Sequence, residues 1–240
     1  MSSLKVYCDF DGTVATKDVG RQLFQHFAGP RTQEIAQHYV DGTITARECL
    51  LSEAALVSGV GATELSAFVD QFTVDEHFSP FRDFCSQRNI PVTILSDGLD
   101  FYVDRILRRY GLADCRFFAN HLEFVEVDGV SKFEVTFPYT DSECILCGNC
   151  KRNHMLTLSS DNDIIVYVGD GISDKCPAGY ADIVFAKKDL IQYCQQENIT
   201  YSEYKDFRDV QQGLEHMMSK KRIKKRREAE MARRDVFMQG

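Results

Sequence analysis

Short apolar segments that end abruptly in polar residues constrain the fold of this chain more than any other feature. The first covers residues 4–8 and is followed by the sequence DFDGT, which places Asp9 and Asp11 directly behind it. A short apolar run stopped in this way is typical of a buried strand whose carboxyl end carries chemistry. Because a turn begins at Gly12, we expect the two aspartates to lie in one pocket at the tip of that strand.

Two neighbouring carboxylates at the end of a strand can take two different roles in phosphoryl transfer. One aspartate can attack the phosphorus and form an aspartyl-phosphate, while the other protonates the leaving oxygen and later activates water. The motif alone is only moderately specific, since an Asp-Gly pair also marks ordinary surface turns. Segments further along the chain must decide between these two interpretations.

The second apolar segment, residues 92–95, leads into Ser96 and Gly98. A hydroxyl group and a backbone N–H at the end of a strand can both bind a phosphate oxygen. The third segment, residues 164–169, leads into an acidic turn that contains Asp170 and Asp174. Carboxylates in a turn suit a hard divalent cation such as Mg²⁺.

Lys151 lies between the second and third segments and adds a cation to the set. Phosphoryl transfer needs a nucleophile, an acid, donors for the phosphate oxygens, and neutralisation of charge by a metal ion and a lysine. The sequence supplies all of these: the lysine lies between two segments, and the other groups lie at strand ends. It therefore predicts a Mg²⁺-dependent phosphoryl-transfer enzyme, although Lys151 could instead be an exposed loop lysine, and Asp170 and Asp174 could simply cap the following helix.

Helical periodicity separates the first and second strands. Apolar residues recur at helical spacing from Val19 and again from Leu65, with turn signals at residues 29–30 and 41–43. We expect an all-helical insertion over residues 15–77 that forms a cap. Such a cap excludes water and recognises the part of the substrate that is not phosphate.

An alternation of strands and helices resumes near residue 79. Residues 122–127 and 130–135 flank an Asp-Gly pair and predict a β-hairpin, and residues 183–186 form another apolar strand. The pattern predicts an α/β fold with a doubly wound, mostly parallel sheet. We expect a catalytic core in residues 1–14 and 78–218, the cap in 15–77, and a basic C-terminal tail in 219–240.

The tail differs from the rest of the chain in charge. It holds nine basic and three acidic residues, a net charge of +6 in a chain whose net charge is −8. A basic run can bind nucleic acid, an anionic membrane or the acidic body of the same protein, but most such runs form a solvated helix or a frayed terminus. Since aromatic residues do not interleave with the charges, a nucleic-acid partner is not favoured. The basic residues are Lys220, Lys221, Arg222, Lys224, Lys225, Arg226, Arg227, Arg233 and Arg234.

Composition limits the class of protein. A chain of 240 residues that is 44% hydrophobic and 27% charged can bury a sizeable core, and no apolar run reaches 18 residues. The N-terminal residues do not resemble a secretory leader, and nine scattered cysteines fit reduced thiols better than a disulfide framework. We therefore expect a cytoplasmic enzyme that acts on a small phosphorylated metabolite and has no membrane span; its oligomeric state is left open.

A cluster of cysteines allows three interpretations. Cys144, Cys147 and Cys150, with His154 four residues on, have a ligand count that would suit a structural zinc ion. The second C-x2-C pair of a common zinc ribbon is missing, and Lys151 lies inside the cluster. The cysteines could instead respond to redox conditions, or form a loop that positions Lys151, and this last interpretation is the one we favour.

Taken together, the four segments resemble the four motifs of the haloacid dehalogenase superfamily of phosphatases. The helical insertion between the first two motifs is similar to that of the phosphoserine-phosphatase-like branch, over nearly the whole chain. Residues 97–103, 147–151 and 199–201 resemble in particular the 2-hydroxy-3-keto-5-methylthiopentenyl-1-phosphate phosphatases of methionine salvage. The resemblance is imperfect at Asp97 and Gly171, where the family often has Gly and Ser.

The resemblance implies a role for each motif residue. Asp9 would be the nucleophile and Asp11 the general acid and base. Mg²⁺ would be bound by Asp9, the Asp11 backbone carbonyl and Asp170, with Asp174 holding a metal-bound water or orienting the lysine. The phosphoryl oxygens would be bound by Ser96, Gly98 and Lys151.

Departures from the phosphoserine pattern bear on the substrate. Asp18 stands where the resemblance places a glutamate that recognises an amine, and Leu51 stands near the position of an arginine that holds the substrate carboxylate. Arg47, one helical turn earlier, could replace that arginine only from a different direction. We therefore expect a preference for the methylthio-ketopentenyl phosphate over phosphoserine.

Other functions stay open at this point. They include a phosphoserine phosphatase or a phosphatase for another small metabolite such as phosphocholine or phosphoethanolamine, and a phosphotransferase or mutase. An RNA-associated protein that works through its basic tail, or an inactive binding protein, would belong to another class.

Overall fold

The computed structural model describes residues 3–141, 146–220 and 223–239. Within these residues the strands are β1 (Leu4–Asp9), β2 (Val92–Leu99), β3 (Arg116–Val127), β4 (Val130–Thr136), β5 (Ile164–Gly169), β6 (Ile183–Ala186) and β7 (Ser202–Glu203). The helices are α1 (Val19–Ala28), α2 (Arg31–Val40), α3 (Ala46–Leu56), α4 (Ala62–Val69), α5 (Phe78–Ser86), α6 (Asp100–Arg109), α7 (Lys151–Thr157), α8 (Lys175–Tyr180), α9 (Asp189–Gln196), α10 (Phe207–Met218) and α11 (Arg227–Gln239).

The seven strands form one sheet in the order β4-β3-β2-β1-β5-β6-β7. β1 pairs in parallel with both β2 and β5, β5 with β6, and β6 with β7, whereas β3 and β4 pair antiparallel. β5 and β6 are buried at every position, which explains why their sequences are continuous apolar runs and do not alternate. The predicted α/β fold with a mostly parallel sheet is confirmed.

The chain forms two compact units. The first contains Met1–Val14, Asp75–Leu95 and Lys151–Gly240, and the second contains Ala15–Val74 and Ser96–Cys150. The predicted division into a catalytic core, a cap and a tail assigns a function to each part of the chain, and it stays a prediction.

The second unit contains α1 to α4 and the hairpin of β3 and β4. Thr45 and Glu48 form a capping box at the start of α3, and the Asp18 side chain accepts the Arg21 N–H at the start of α1, over 2.8 Å. The hairpin turns at Asp128 and Gly129, whose φ angles of 53° and 76° explain the choice of an Asp-Gly pair. β3 begins at Arg116, earlier than the sequence predicted.

In the first unit, aromatic side chains close the core beside the sheet. Phe78 and Phe81 of α5 contact Phe207 of α10, with ring centroids 4.8 and 5.1 Å apart, and all three are fully buried. These contacts join segments far apart in sequence, so α5 and α10 belong to one core.

Two arginines of the basic tail bind the end of α8. The Arg226 guanidinium donates to the carbonyl oxygens of Ala178 and Gly179, over 2.7 and 2.6 Å. Arg233 donates to the Tyr180 carbonyl, over 2.5 Å, and to Asp182 Oδ1, over 2.9 Å. Cations that bind the free carbonyls at a helix C-terminus are stabilising. The expectation of a solvated tail is therefore wrong for these two residues.

Most of the other basic residues of the tail lie at the surface. Lys220, Lys224, Arg227 and Arg234 are exposed, and Lys225 donates to the Asp161 carbonyl. Lys221 and Arg222 lie outside the described residues. None of the described helices combines the length and the apolar character that crossing a membrane requires.

Candidate active site

Three buried aspartates meet at one edge of the parallel sheet. Asp9 ends β1 and Asp170 directly follows β5, and the parallel pairing of these strands brings their carboxyl ends side by side. Asp174 follows in the next turn. Each of the three offers one carboxylate oxygen, and these oxygens all lie within 4.8 Å of one another.

Lys151 places its ammonium among these carboxylates. Its Nζ donates to Asp9 Oδ1 over 2.6 Å, to Asp174 Oδ1 over 2.9 Å and to Ser173 Oγ over 2.9 Å. Only 3% of the residue is exposed. A buried ammonium is costly unless it is paired, and here it has two carboxylate partners. The alternative of an exposed loop lysine is therefore wrong.

Asp174 accepts four hydrogen bonds and is fully buried. Its Oδ1 accepts from Lys151 Nζ and, over 2.6 Å, from the Tyr167 hydroxyl. Its Oδ2 accepts the backbone N–H groups of Asp170 and Gly171, over 2.8 and 3.0 Å. Asp174 thus fixes both the turn after β5 and the position of the lysine. Its side chain makes no capping hydrogen bond to α8, but it does cap the short helical turn Ile172–Asp174 through the Gly171 N–H.

The electrostatics of the cluster favour a bound cation. Burial raises the pKa of the Asp9 carboxyl well above its usual range; Asp174 adds to this and Lys151 opposes it. Burial also raises the pKa of Asp170, again with a contribution from Asp174 and opposition from Lys188. Carboxylates held together in a buried site repel one another, and a divalent cation relieves that repulsion.

The turn after β1 has room only for glycine. Gly12 has a φ of 75°, and a Cβ atom at this position would lie 2.3 Å from Asp170 Oδ2. Three buried carboxylates whose oxygens lie within 4.8 Å of one another are the hard oxygen donors that Mg²⁺ prefers, so the residues present fit that ion. Asp11 lies in the same turn, is half-buried, and its charge contributes to the raised pKa of Asp9.

The predicted phosphate-binding segment is held by amides of the second unit. Ser96 directly follows Leu95, the register partner of Asp9 in the sheet, and its Oγ accepts the Gly98 N–H over 3.0 Å. The buried Asn149 side chain donates to the carbonyl oxygens of Ser96 and Phe118, over 2.8 and 3.0 Å. Asn149 therefore fixes the backbone that carries Ser96.

The three predicted substrate residues lie in the second unit. Asp18 is exposed and caps α1, while Leu51 is 45% exposed on α3. The Arg47 guanidinium lies over the ring of Phe137, 4.9 Å from its centroid. On the same helix as Leu51, burial and the nearby Asp18 charge raise the pKa of Glu53 to about 7.

The cysteine cluster is only partly described. Cys147 is half-buried, Cys150 is buried with its Sγ 3.8 Å from Asp141 Oδ2, and Cys144 lies outside the described residues. Among the residues that the structure does describe, the one group of three acidic, His or Cys side chains close enough to share a metal ion is the aspartate cluster. The zinc interpretation stays a prediction.

Sequence reasoning missed several residues that shape the site. Tyr167 and Lys188 contact the aspartate cluster, Ser173 accepts a hydrogen bond from Lys151, and Asn149 holds the segment at Ser96. Only two of them left a signal: Tyr167 is a hydroxyl-bearing residue inside an otherwise apolar strand, and Asn149 stands two residues before Lys151.

Comparisons with known proteins agree with this geometry. The family model of haloacid dehalogenase-like hydrolases matches residues 6–176. A 2-hydroxy-3-keto-5-methylthiopentenyl-1-phosphate phosphatase of Bacillus thuringiensis (strain Al Hakam) is 29% identical over 222 residues, covering 91% of this chain and 99% of that protein. A protein of the same name from Bacillus cytotoxicus is also 29% identical, over 223 residues, with the same coverage.

Solved structures show the same fold. A phosphoserine phosphatase with an analogue of its phospho-aspartyl intermediate has a TM-score of 0.68 and 19% identity, covering 89% of this chain and 99% of that chain. Cytosolic 5'-nucleotidase IIIB bound to cytidine has a TM-score of 0.57 and 16% identity, covering 89% of this chain and 85% of that chain.

Fold and site together define an enzyme whose acidic centre lies at the carboxyl end of a parallel sheet. The chain belongs to the haloacid dehalogenase-like hydrolase family, since the family model covers well over half of it. The prediction that it is a phosphatase is confirmed.

Proposed function

We propose that this chain is a Mg²⁺-dependent phosphomonoester hydrolase that works through an aspartyl-phosphate on Asp9, and that its substrate is 2-hydroxy-3-keto-5-methylthiopentenyl-1-phosphate. The observation that carries the mechanism is the buried contact of Lys151 with Asp9 and Asp174, beside the third carboxylate of Asp170. The arrangement has the charge, the nucleophile and the exclusion of water that phosphoryl transfer requires.

In this proposal Asp9 attacks the phosphorus, and the bond to the leaving oxygen breaks. Asp11 gives its proton to that oxygen and then takes a proton from the water that hydrolyses the aspartyl-phosphate. Lys151 neutralises charge on the transferred group and is held in place by Asp174. Ser96 and Gly98 bind phosphoryl oxygens, as the resemblance implies.

Mg²⁺ would be held by Asp9, the backbone carbonyl of Asp11 and Asp170, with Asp174 close by. When bound, it would neutralise the charge that a dianionic phosphate brings into a site already rich in carboxylates. The raised pKa values of Asp9 and Asp170 support this assignment, because burial and the charge of Asp174 disfavour both carboxylates and a divalent cation would offset that penalty.

The substrate assignment rests on the second unit and on the relatives. The phosphoserine carboxylate needs a cation, and an unpaired buried charge is strongly unfavourable. Position 51 carries Leu51, and the guanidinium of Arg47 lies over Phe137. An apolar surface instead suits a thioether tail, which the methylthio-ketopentenyl phosphate carries. The relatives at 29% identity bear the name of that substrate.

Phosphoserine is the second candidate substrate. It is favoured by the fold of the phosphoserine phosphatase with a TM-score of 0.68, and by Arg47, which could contact a carboxylate if it left the Phe137 ring. Phosphocholine and phosphoethanolamine belong in the same comparison because they lack a carboxylate. A phosphotransferase would pass some of the phosphoryl groups to an acceptor alcohol. The amount of free phosphate would then be smaller than the amount of dephosphorylated product.

Phosphate release from a panel of these compounds, with Mg²⁺ present, tests the proposal. We expect the highest kcat/KM for the methylthio-ketopentenyl phosphate, and loss of activity in excess EDTA that Mg²⁺ restores. Asp9→Asn is the control for contaminating phosphatases. A higher kcat/KM for phosphoserine would overturn the substrate assignment but not the proposed mechanism. Full activity in EDTA would overturn the proposed requirement for Mg²⁺.

A further inference from the structure

A second lysine contacts the aspartate cluster from its exposed side. The Lys188 ammonium lies 2.7 Å from Asp170 Oδ2, and 58% of the lysine side chain is exposed, against 12% of the aspartate. Lys151, by contrast, is buried and contacts Asp9 and Asp174. The two lysines therefore bind different carboxylates, and only Lys188 can leave its partner for water at low cost.

The backbone at Lys188 adopts a conformation that residues with a side chain rarely take. Its φ is 50° and its ψ is −128°. Hydrogen bonds on both sides hold it there: Lys187 N–H donates to the Gly169 carbonyl over 3.3 Å, and Leu190 N–H donates to the Asp170 carbonyl over 3.1 Å. A strained residue persists only where its surroundings impose the conformation, and such residues are common at functional sites.

The space that the Lys188 ammonium occupies is the space kept open by Gly12. A Cβ atom at Gly12 would lie 3.0 Å from Lys188 Nζ and 2.3 Å from Asp170 Oδ2. Both the glycine and the strained lysine thus converge on the same carboxylate oxygen. A surface salt bridge that served stability alone would add little to the free energy of unfolding. It would require neither a glycine at position 12 nor a strained backbone at Lys188.

We propose that Lys188 is the resident counter-ion of Asp170, and that it competes with Mg²⁺ for this carboxylate and so sets the Mg²⁺ concentration at which the site fills. The inference rests on the proposed function, in which Asp170 is a metal ligand. A carboxylate that already carries an ammonium binds a second cation less tightly, because the new cation must displace the first or tolerate its charge. Lys188 is thus a positioning residue that acts through Asp170.

Isothermal titration of the substrate-free protein with MgCl2 tests this inference. We expect Lys188→Met to lower the Kd for Mg²⁺ by about three- to fivefold, the upper part of the range to which a partly exposed ion pair corresponds. Lys188→Gly should lower the Kd for Mg²⁺ by the same factor, and it also removes the backbone strain at this position. Lys188→Arg keeps the positive charge and should stay within about twofold of the wild type. Lys205→Met removes an exposed lysine elsewhere in the first unit and controls for net charge.

Thermal unfolding gives a second readout. Without Mg²⁺, Lys188→Met should melt below the wild type, since Asp170 has lost a counter-ion, and saturating Mg²⁺ should raise its Tm by more than it raises that of the wild type. An unchanged or higher Kd in Lys188→Met would overturn the inference, and tighter binding in Lys188→Gly alone would assign the effect to the backbone. If the wild type itself binds no Mg²⁺, the metal assignment of the proposed function fails and this inference fails with it.

Discussion

The ammonium of Lys151 lies 2.6 Å from the Oδ1 of Asp9, and the two side chains are only 2% and 6% exposed. An ion pair this deeply buried gains little net stability over an apolar pair of the same size, but losing one partner leaves a charge in a medium that cannot solvate it. The lysine therefore does two things in our account: it keeps the carboxylates together and supplies a positive charge to the transferred phosphoryl group.

Lys151→Met should accordingly reduce both stability and turnover. It leaves Asp9 and Asp174 without a shared cation, and we expect a loss of about 3–5 kcal/mol in the free energy of unfolding, measured by urea denaturation. Phosphatase activity should be lost even under conditions where the variant is folded by circular dichroism. Lys205→Met serves as the control. A folded Lys151→Met variant with wild-type kcat would contradict the role given to this lysine.

Tyr167→Phe tests whether Asp174 holds the lysine in place. The Tyr167 hydroxyl donates to Asp174 Oδ1 over 2.6 Å, and its loss leaves a buried acceptor with one donor fewer. We expect a cost of about 1–3 kcal/mol in stability and a fall in kcat of about tenfold, the lower end of what removing such a supporting group causes.

Tyr7→Phe is the matched control for this change. Tyr7 is equally buried in the neighbouring strand β1, and its hydroxyl contacts Ser159 Oγ over 2.8 Å, outside the aspartate cluster. It should lower stability without lowering kcat. Equal effects of the two changes on kcat would mean that Tyr167 has no special relation to the site.

Glu53 should make stability depend on pH. Burial raises its pKa from 4.5 to about 7, so the folded state holds a proton that the unfolded state has already released. The contribution of Glu53 to the free energy of unfolding is therefore fully present below pH 4.5 and is lost as the pH rises through 7. The total change in the free energy of unfolding is about 3 kcal/mol. Glu53→Gln should remove this slope when unfolding is followed from pH 4.5 to 8.

The exposed Glu134→Gln is the control for Glu53. The difference in unfolding free energy between Glu53→Gln and the wild type should grow with pH in favour of the variant. A difference that stays constant across this range would contradict the burial argument.

Arg233→Leu should weaken the attachment of α11 to the end of α8. The guanidinium binds the Tyr180 carbonyl and Asp182 Oδ1, and the Asp182 side chain is fully buried. Without the guanidinium, the buried Asp182 carboxylate has the N–H groups of Ile165 and Arg226 as partners but no cation bound to it, and we expect a loss of about 3 kcal/mol. The exposed neighbour Arg234→Leu should change stability by less than about 0.5 kcal/mol. Equal denaturation midpoints for the two variants would show that the tail does not stabilise the fold.

Sequence reasoning correctly placed the elements that are determined by a short, continuous stretch of residues. β5 and β6 are buried on both faces, so their apolar runs give their bounds directly, and the hairpin follows from the φ angles that Asp128 and Gly129 can adopt. The aspartates of the site could be found because they end strands that pair in parallel.

The parts that could not be predicted depend on contacts distant in sequence. The tail looked solvated because the groups that bind Arg226 and Arg233 lie 47 to 53 residues earlier in the chain. Lys151 is 142 residues from Asp9, so neither its burial nor its partner could be derived from the loop that contains it. The Lys188 contact depends on a backbone conformation that a lysine in sequence does not indicate.

A phosphoryl group trapped on Asp9 tests the central claim most directly. Enzyme quenched in acid during turnover of a radiolabelled substrate should carry label on the peptide that contains Asp9, and hydroxylamine should release it. Asp9→Asn should show neither label nor turnover, while Asp11→Asn should still turn over, more slowly by about 10²- to 10⁴-fold, because it lacks the acid that assists the leaving group. Wild-type turnover by Asp9→Asn, or label on any other residue, would contradict the account.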